Sequence, residues 1–219
     1  MSPADDPVRR PLPADLGRLL HDLRGPLNSL TMHAEVLKRT VRDDSAAEES
    51  LRTVLEQLGR LSEMLPAALY VASLELGPMA PVDLGTAAAA AREAAGGPVE
   101  LAGGPWPSVV GDARLLTEAL GQLFRNAVEA TAAVVRARAP VASASVDGPT
   151  TQVTVRDWGP GVRPTTLKPP IRLLHSTKPG HRGLGLVTVE RIARLHGGTI
   201  TFASPGDGTA VTLSLPSAR

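Results

Sequence analysis

Asp15-Leu16-Gly17-Arg18-Leu19-Leu20-His21-Asp22-Leu23-Arg24-Gly25-Pro26-Leu27-Asn28-Ser29-Leu30 opens a segment whose apolar residues recur every seven positions. Leu20, Leu27, Ala34 and Val41 fall on one line; Leu16, Leu23, Leu30 and Leu37 fall on the adjacent one. Paired lines of this kind are the a and d positions of a helix that packs lengthwise on another. Arg42-Asp43-Asp44 interrupts the pattern, and Ser45 with Glu48 three residues on is a capping-box signature for a second helix. In that helix Leu51, Leu58, Leu65 and Ala72 form one line and Val54, Leu61 and Ala68 the other. Two seamed helices with a short connection predict an antiparallel hairpin. One hairpin buries its seam poorly, so two are expected to join as a four-helix bundle in a two-fold homodimer. Pro26 and Pro66 are expected to bend these helices locally.

Gly77-Pro78-Met79-Ala80-Pro81 reads as a linker, and the pattern changes beyond it. Val82 to Ala95 reads as an alanine-rich helix, 99–101 and 108–110 as short strands, and Asp112 to Arg138 as a long helix with Asp112 as its N-cap. Residues 141–146 and 152–156 alternate like paired strands joined around Asp147-Gly148. Residues 164–179 are irregular, 183–195 helical, and 199–203 and 210–215 form a last hairpin. This half is predicted to be an α+β domain. The expected organisation is a tail over 1–14, a helical hairpin over 15–76, a linker over 77–81 and a second domain over 82–219.

The chain has 219 residues, 42% hydrophobic and 21% charged, which supports a packed core. A net charge of +1 argues against a nucleic-acid partner, which calls for a concentrated basic face. With no cysteine, disulfides and thiolate metal sites are excluded. The first residues do not read as a signal peptide, and no apolar run approaches the roughly 18–20 residues that span a bilayer. A soluble, cytoplasmic protein is expected.

Several residues suit a specific chemistry. With Leu20 at an a position, His21 is a b position and projects to solvent beside the seam. A neutral imidazole is a nucleophile near physiological pH. Asp22 is placed to hold Nδ1–H, which leaves Nε2 to attack. A solvated His-Asp pair would read the same way, and the octapeptide alone does not decide. Asn126 lies in an apolar helical segment, and its side-chain oxygen is a hard ligand suited to Mg²⁺. Asp157 ends a strand, where a carboxylate suits the exocyclic amine of adenine. Gly159 and Gly161 let the backbone turn tightly against a flat base. Gly183 and Gly185 precede a helix whose N-terminal amides suit phosphates.

In this order the segments resemble the core of bacterial sensor histidine kinases. His21 to Asn28 is similar to that family's phosphoacceptor box, Gln122 to Thr131 to its asparagine box, and Asp157 to Gly161 and Gly183 to Leu186 to its two glycine boxes. The resemblance runs from about Asp15 onward. It implies a dimerisation and phosphoacceptor hairpin followed by a gyrase-type ATP-binding domain, a two-layer α/β sandwich. By position it implies His21 as phosphoacceptor, Asp22 as assisting base, Asn126 as Mg²⁺ ligand and Asp157 as adenine reader. It places Gly159, Gly161, Gly183, Leu184 and Gly185 in the ATP loops, and Thr177 and Lys178 in a lid that meets the phosphates. The implied cofactors are ATP and Mg²⁺, and the implied partner is a response-regulator receiver domain.

The sequence also departs from the family. Gly25 stands where a Thr or Asn is usual, four residues after the histidine, and Gln122 stands where an Asn is usual. Ile171, Leu174 and His175 replace lid phenylalanines. Only a short tail precedes the first helix, so input is expected from a separate sensory partner, or the protein works constitutively in a relay. Two other readings compete with the kinase. One is a histidine phosphotransferase whose degenerate ATP-like domain docks regulators without nucleotide. The other is an ATP-binding regulatory module of the anti-sigma type, against which the seamed hairpin bearing His21 speaks.

Overall fold

The computed structural model describes residues 14–40, 45–134, 138–161, 185–204 and 206–218. These divide into two compact units at Ser73–Leu74. Among the described residues no helix is long and apolar enough to cross a membrane.

The first unit is an antiparallel pair, α1 (Ala14–Thr40) and α2 (Ser45–Ala72). Helix α2 starts at the residue where the capping-box pattern begins. Both helices continue through Pro26 and Pro66. The heptad lines divide their work. Leu20 and Ala34 of one line are buried with Leu58, and Leu27, Leu51 and Leu65 are half-buried. The adjacent line stays exposed, with Leu30 at 55% and Leu37 at 52%, as do Val54 and Leu61. One line therefore joins the two helices, and the other forms an apolar stripe along the pair.

The second unit has two layers. Its sheet has five strands in the order β2-β4-β5-β7-β6: β2 (Glu100–Leu101), β4 (Val141–Asp147), β5 (Thr150–Arg156), β6 (Thr199–Ala203) and β7 (Ala210–Pro216). Strands β2 and β4 are parallel and the other pairs antiparallel, so the sheet is mixed. The β4–β5 turn uses Gly148 at φ 56°, a left-handed conformation that favours glycine. Register places Ala142 opposite Val155, Val153 opposite Leu213, and Thr151 opposite Leu215, all buried on one face. Against that face pack α4 (Ala113–Ala132), through Leu116, Leu120, Leu123 and Phe124, and α5 (Gly185–Leu195), through Val189 and Ile192. Helix α3 (Leu84–Glu93) packs on α4.

Three expectations are corrected. The predicted linker and helix over 77–95 contain a strand, β1 (Ala80–Asp83), which pairs with β3 (Ser108–Gly111) in a separate antiparallel ribbon. Pro81 is compatible with this short edge position. Helix α3 begins only at Leu84 because Asp83 is its N-cap, accepting from Thr86 N–H at 2.6 Å. Its carboxyl is held below the usual range, first by that backbone bond. Second, the linker expected over 77–81 is anchored at its first residue, and the compact unit already begins at Leu74. Leu74 is buried, and Gly77 N–H donates to Asp112 Oδ2 at 2.9 Å. Third, the long helix stops at Ala132, short of Arg138. The predicted start at Gly183 lies outside the described residues, within which α5 begins at Gly185.

Candidate active site

Helix α4 carries the centre of the site. Its N-cap is Asp112, as the sequence predicts, with Oδ1 accepting from Arg114 and Leu115 N–H at 2.9 and 3.2 Å. Burial raises the Asp112 pKa, but the Gly77 and Leu115 amides and the Arg114 charge outweigh it, and the net shift is downward. His196, just after α5, is buried and bridges the two helices. Its Nε2 accepts from Asp112 N–H at 3.0 Å and its Nδ1 lies 2.8 Å from Ile192 O. With Nε2 accepting, Nδ1 carries the proton, so this histidine is structural.

About one turn into α4's second half, Asn126 meets the start of α5. A Cβ built on Gly185 would lie 3.1 Å from Gln122 Oε1 and 3.3 and 3.4 Å from the two amide atoms of Asn126. Both amides thus rest against the bare first residue of α5. The spacing of four puts Gln122 and Asn126 on one helical face. Asn126 Nδ2 is buried and has no hydrogen-bond partner among the described residues. A buried orphan amide is uncommon in a folded chain and calls for a functional or structural explanation. It lies beside a helix N-terminus, where backbone N–H groups and the helix dipole favour an anion.

The next turn of α4 meets the Asp157 loop. A Cβ on Gly159 would lie 2.8 Å from Ala130 O, so only glycine lets this loop lie against the helix. Trp158 N–H donates to Thr131 Oγ1 at 3.3 Å. Asp157 is 6% exposed, and its Oδ1 accepts from Gly159 N–H at 2.8 Å and from Thr209 N–H at 3.2 Å. Asp157 N–H in turn donates to Thr209 O at 2.9 Å. Gly161 takes φ 74° and Gly208 takes φ 113°, and a Cβ on Gly208 would strike Asp157 O at 2.0 Å. The sheet brings the β6–β7 turn against the loop because β7 pairs with β5.

Helix α4 therefore joins the Asn126–Gly185 contact to the Asp157–Gly159 loop, since Asn126 and Ala130 are four residues apart on one face. Among the described residues no group of His, Asp and Glu could hold a metal by itself, so Asn126 is the hard-oxygen candidate. The residues present fit a nucleotide: a buried amide, a helix N-terminus and a backbone-held carboxylate. His21 belongs to the other unit and is exposed on α1 beside buried Leu20, as its b position predicts. The side chain of Asp22 and all of Thr177, Lys178, Gly183 and Leu184 lie outside the described residues. Sequence reasoning assigned no role to Thr131 or Thr209. Neither has a local signal, since each acts through a contact made by the fold.

Two family descriptions match the chain. Residues 16–77 match "His Kinase A (phospho-acceptor) domain". Residues 111–219 match "Histidine kinase-, DNA gyrase B-, and HSP90-like ATPase". The chain belongs to the histidine kinase family. It is 31% identical over 223 residues to sensor histidine kinase MtrB of Mycobacterium tuberculosis, covering 91% of this chain and 38% of that protein. It is 27% identical over 205 residues to sensor histidine kinase ZraS of Escherichia coli, covering 90% of this chain and 43% of that one. The chain thus spans less than half the length of these relatives. Among solved structures, full-length ShkA in complex with AMPPNP matches with TM-score 0.58 and 25% identity, covering 95% of this chain and 47% of that one.

Proposed function

We propose that this histidine kinase core transfers the γ-phosphoryl group of ATP to His21 and passes it to an aspartate of a response-regulator receiver domain. The carrying observation is the buried Asn126 amide set against the first residue of α5, an arrangement suited to phosphate oxygens and a hard cation. In the transfer, Nε2 of His21 forms a bond to phosphorus as the bond to the ADP oxygen breaks. Nε2 must be unprotonated, and catalysis rests on positioning and electrostatics. Exposure of His21 suits attack, and the resemblance assigns Asp22 the assisting base. Asn126 Oδ1 is the group that would hold Mg²⁺, which neutralises phosphate charge when bound. Asp157 would accept from the adenine amine, with Gly159 and Gly161 admitting the base. The lid roles of Thr177 and Lys178, and the loop roles of Gly183 and Leu184, rest on the resemblance alone.

We place the kinase in the cytoplasm, where ATP is supplied, as a homodimer. The exposed stripe of Leu23, Leu30, Leu37, Val54 and Leu61 supports the dimer. Covering five such side chains, each already partly buried, is worth of order 5 kcal/mol. The domain boundaries proposed are a hairpin to Ser73 and an ATP-binding domain from Leu74 onward. A nucleotide-free docking domain has no support, since the Asp157 loop and the Asn126–Gly185 contact are both assembled.

Incubation with γ-labelled ATP and Mg²⁺ tests the reading. Wild type is expected to take up an acid-labile, base-stable label, and His21→Ala none. Undiminished labelling of His21→Ala overturns the assignment.

A further inference from the structure

The Trp158 side chain has no part in the site described so far, yet the residue adjoins Asp157 and Gly159, whose amide holds Asp157 Oδ1. Its backbone N–H reaches Thr131 at the end of α4, and its Nε1–H donates to Ala139 O at 3.1 Å. Trp158 is thus tied at its backbone to the end of α4 and at its ring to Ala139. Gly159, whose amide holds Asp157 Oδ1 at 2.8 Å, is the next residue. The first support of the carboxylate is therefore fixed by Trp158 directly.

The second support runs through the ring face. The Arg156 guanidinium lies 4.2 Å from the centre of the Trp158 ring, and that of Arg138 lies 5.7 Å away. Arg156 Nη2 donates to Asp207 Oδ1 at 2.6 Å. Asp207 sits in the β6–β7 turn, two residues before Thr209, whose amide is the other donor to Asp157 Oδ1. Arg156 Nε is buried and has no hydrogen-bond partner among the described residues. The guanidinium thus forgoes a bond at one nitrogen while keeping the ring and Asp207, as expected where a cation–π contact fixes its plane. Trp158, through its own chain and through Arg156–Asp207, connects to the Gly159 and Thr209 amides that donate to Asp157 Oδ1.

We infer that Trp158 is the positioning residue that gives this site its selectivity for a 6-aminopurine, with Arg156 and Asp207 as its second arm. This deepens the adenine-reading role proposed for Asp157 and rests on it. Trp158 touches no base and acts only through the direction in which Asp157 is held. A misaimed acceptor weakens the bond to the amine and leaves contacts to the triphosphate and the rest of the purine in place.

The test is equilibrium calorimetry of Mg-ATP and of Mg-purine riboside triphosphate, which lacks the 6-amino group, against the full chain. Wild type is expected to prefer ATP, and Asp157→Asn to lose the preference. Trp158→Leu is expected to raise the ATP Kd about fivefold and the analogue Kd less than about twofold. Asp207→Ala changes a side chain 70% exposed, so it leaves the fold intact. It is expected to shift the same ratio in the same direction by about two- to threefold, and it decides the matter if Trp158→Leu does not fold. Equal weakening of both ligands, or of neither, in these variants overturns the positioning role. Loss of preference in Asp157→Asn alone removes only Trp158. A preference that survives Asp157→Asn removes the adenine reading and this inference with it.

Discussion

Asp157→Asn is a sharp perturbation because the fold dictates how the new side chain must lie. Both backbone amides that hold the carboxylate, from Gly159 and Thr209, point at Oδ1. Asparagine keeps those bonds only by placing its oxygen there, so its NH₂ takes the place of Oδ2. The loop then loses charge assistance in two bonds, one of them long at 3.2 Å. Each loses roughly 1 kcal/mol, the difference between bonds to charged and to neutral acceptors. A total near 1–2 kcal/mol is within the margin of a typical domain, so the protein stays folded. On the proposed adenine role, the base faces a larger change. A donor now opposes the adenine amine, itself a donor, and a bond to a charged acceptor is lost. That loss is worth roughly 1.5–3 kcal/mol, about tenfold to hundredfold in Kd. Calorimetry of Mg-ATP, with the melting temperature as a check on folding, measures both effects. Unchanged ATP affinity in a folded Asp157→Asn protein would refute the orientation argument and the adenine role together.

Leu23→Glu with Leu61→Glu, both on the exposed stripe, is expected to give folded monomers by light scattering, while buried Leu58→Glu is expected to unfold the hairpin by circular dichroism. A dimer that survives the first pair contradicts the proposed interface. Asp112 has a folded pKa below its unfolded value, so its contribution to stability is full above about pH 4 and is lost as pH falls through the lowered folded value. Asp112→Asn is expected to flatten acid unfolding over that range, and an identical acid limb in both proteins would contradict it. Weak phosphatase activity toward the phosphorylated regulator is expected from Gly25, which offers no group to hold water. A Cβ there meets nothing within 4 Å, so Gly25→Asn is sterically free. It is expected to speed phosphate release in a His21→Ala background, and no change would show that the glycine is not the defect.

The parts legible in the sequence were those written in local periodicity or a short motif. The seven-residue lines gave both helices of the hairpin, and Asp112 gave the start of α4. Alternation gave β4, β5 and the last hairpin. The ribbon strand β1 was not legible, because Ala80-Pro81-Val82-Asp83 is short and its pairing with β3 comes from residues 108–111. The exposed and buried heptad lines look alike in sequence; only the packing of α1 on α2 separates them. At the candidate site, residue type and order single out Asn126, Asp157, Gly159 and Gly185. Thr209 escaped notice because its amide reaches Asp157 across 52 positions. The double role of Trp158 escaped for the same reason: it depends on a turn that only β-sheet register brings near.

The strand order also bears on how the ATP-binding unit is made. Strand β7 comes after every other strand in the sheet, yet it lies between β5 and β6. As the chain is synthesised, β6 has no neighbour until residues 210–216 arrive, and the Thr209 amide precedes them by a single residue. The helical hairpin, built from near-sequence contacts, is free to form early, while the sheet waits for a pairing between positions some sixty apart. Termination between β6 and Thr209 would therefore leave a helical hairpin and an open sheet edge, with Asp157 lacking the Thr209 amide. Such a product would be a candidate for strand-edge aggregation rather than a weaker kinase.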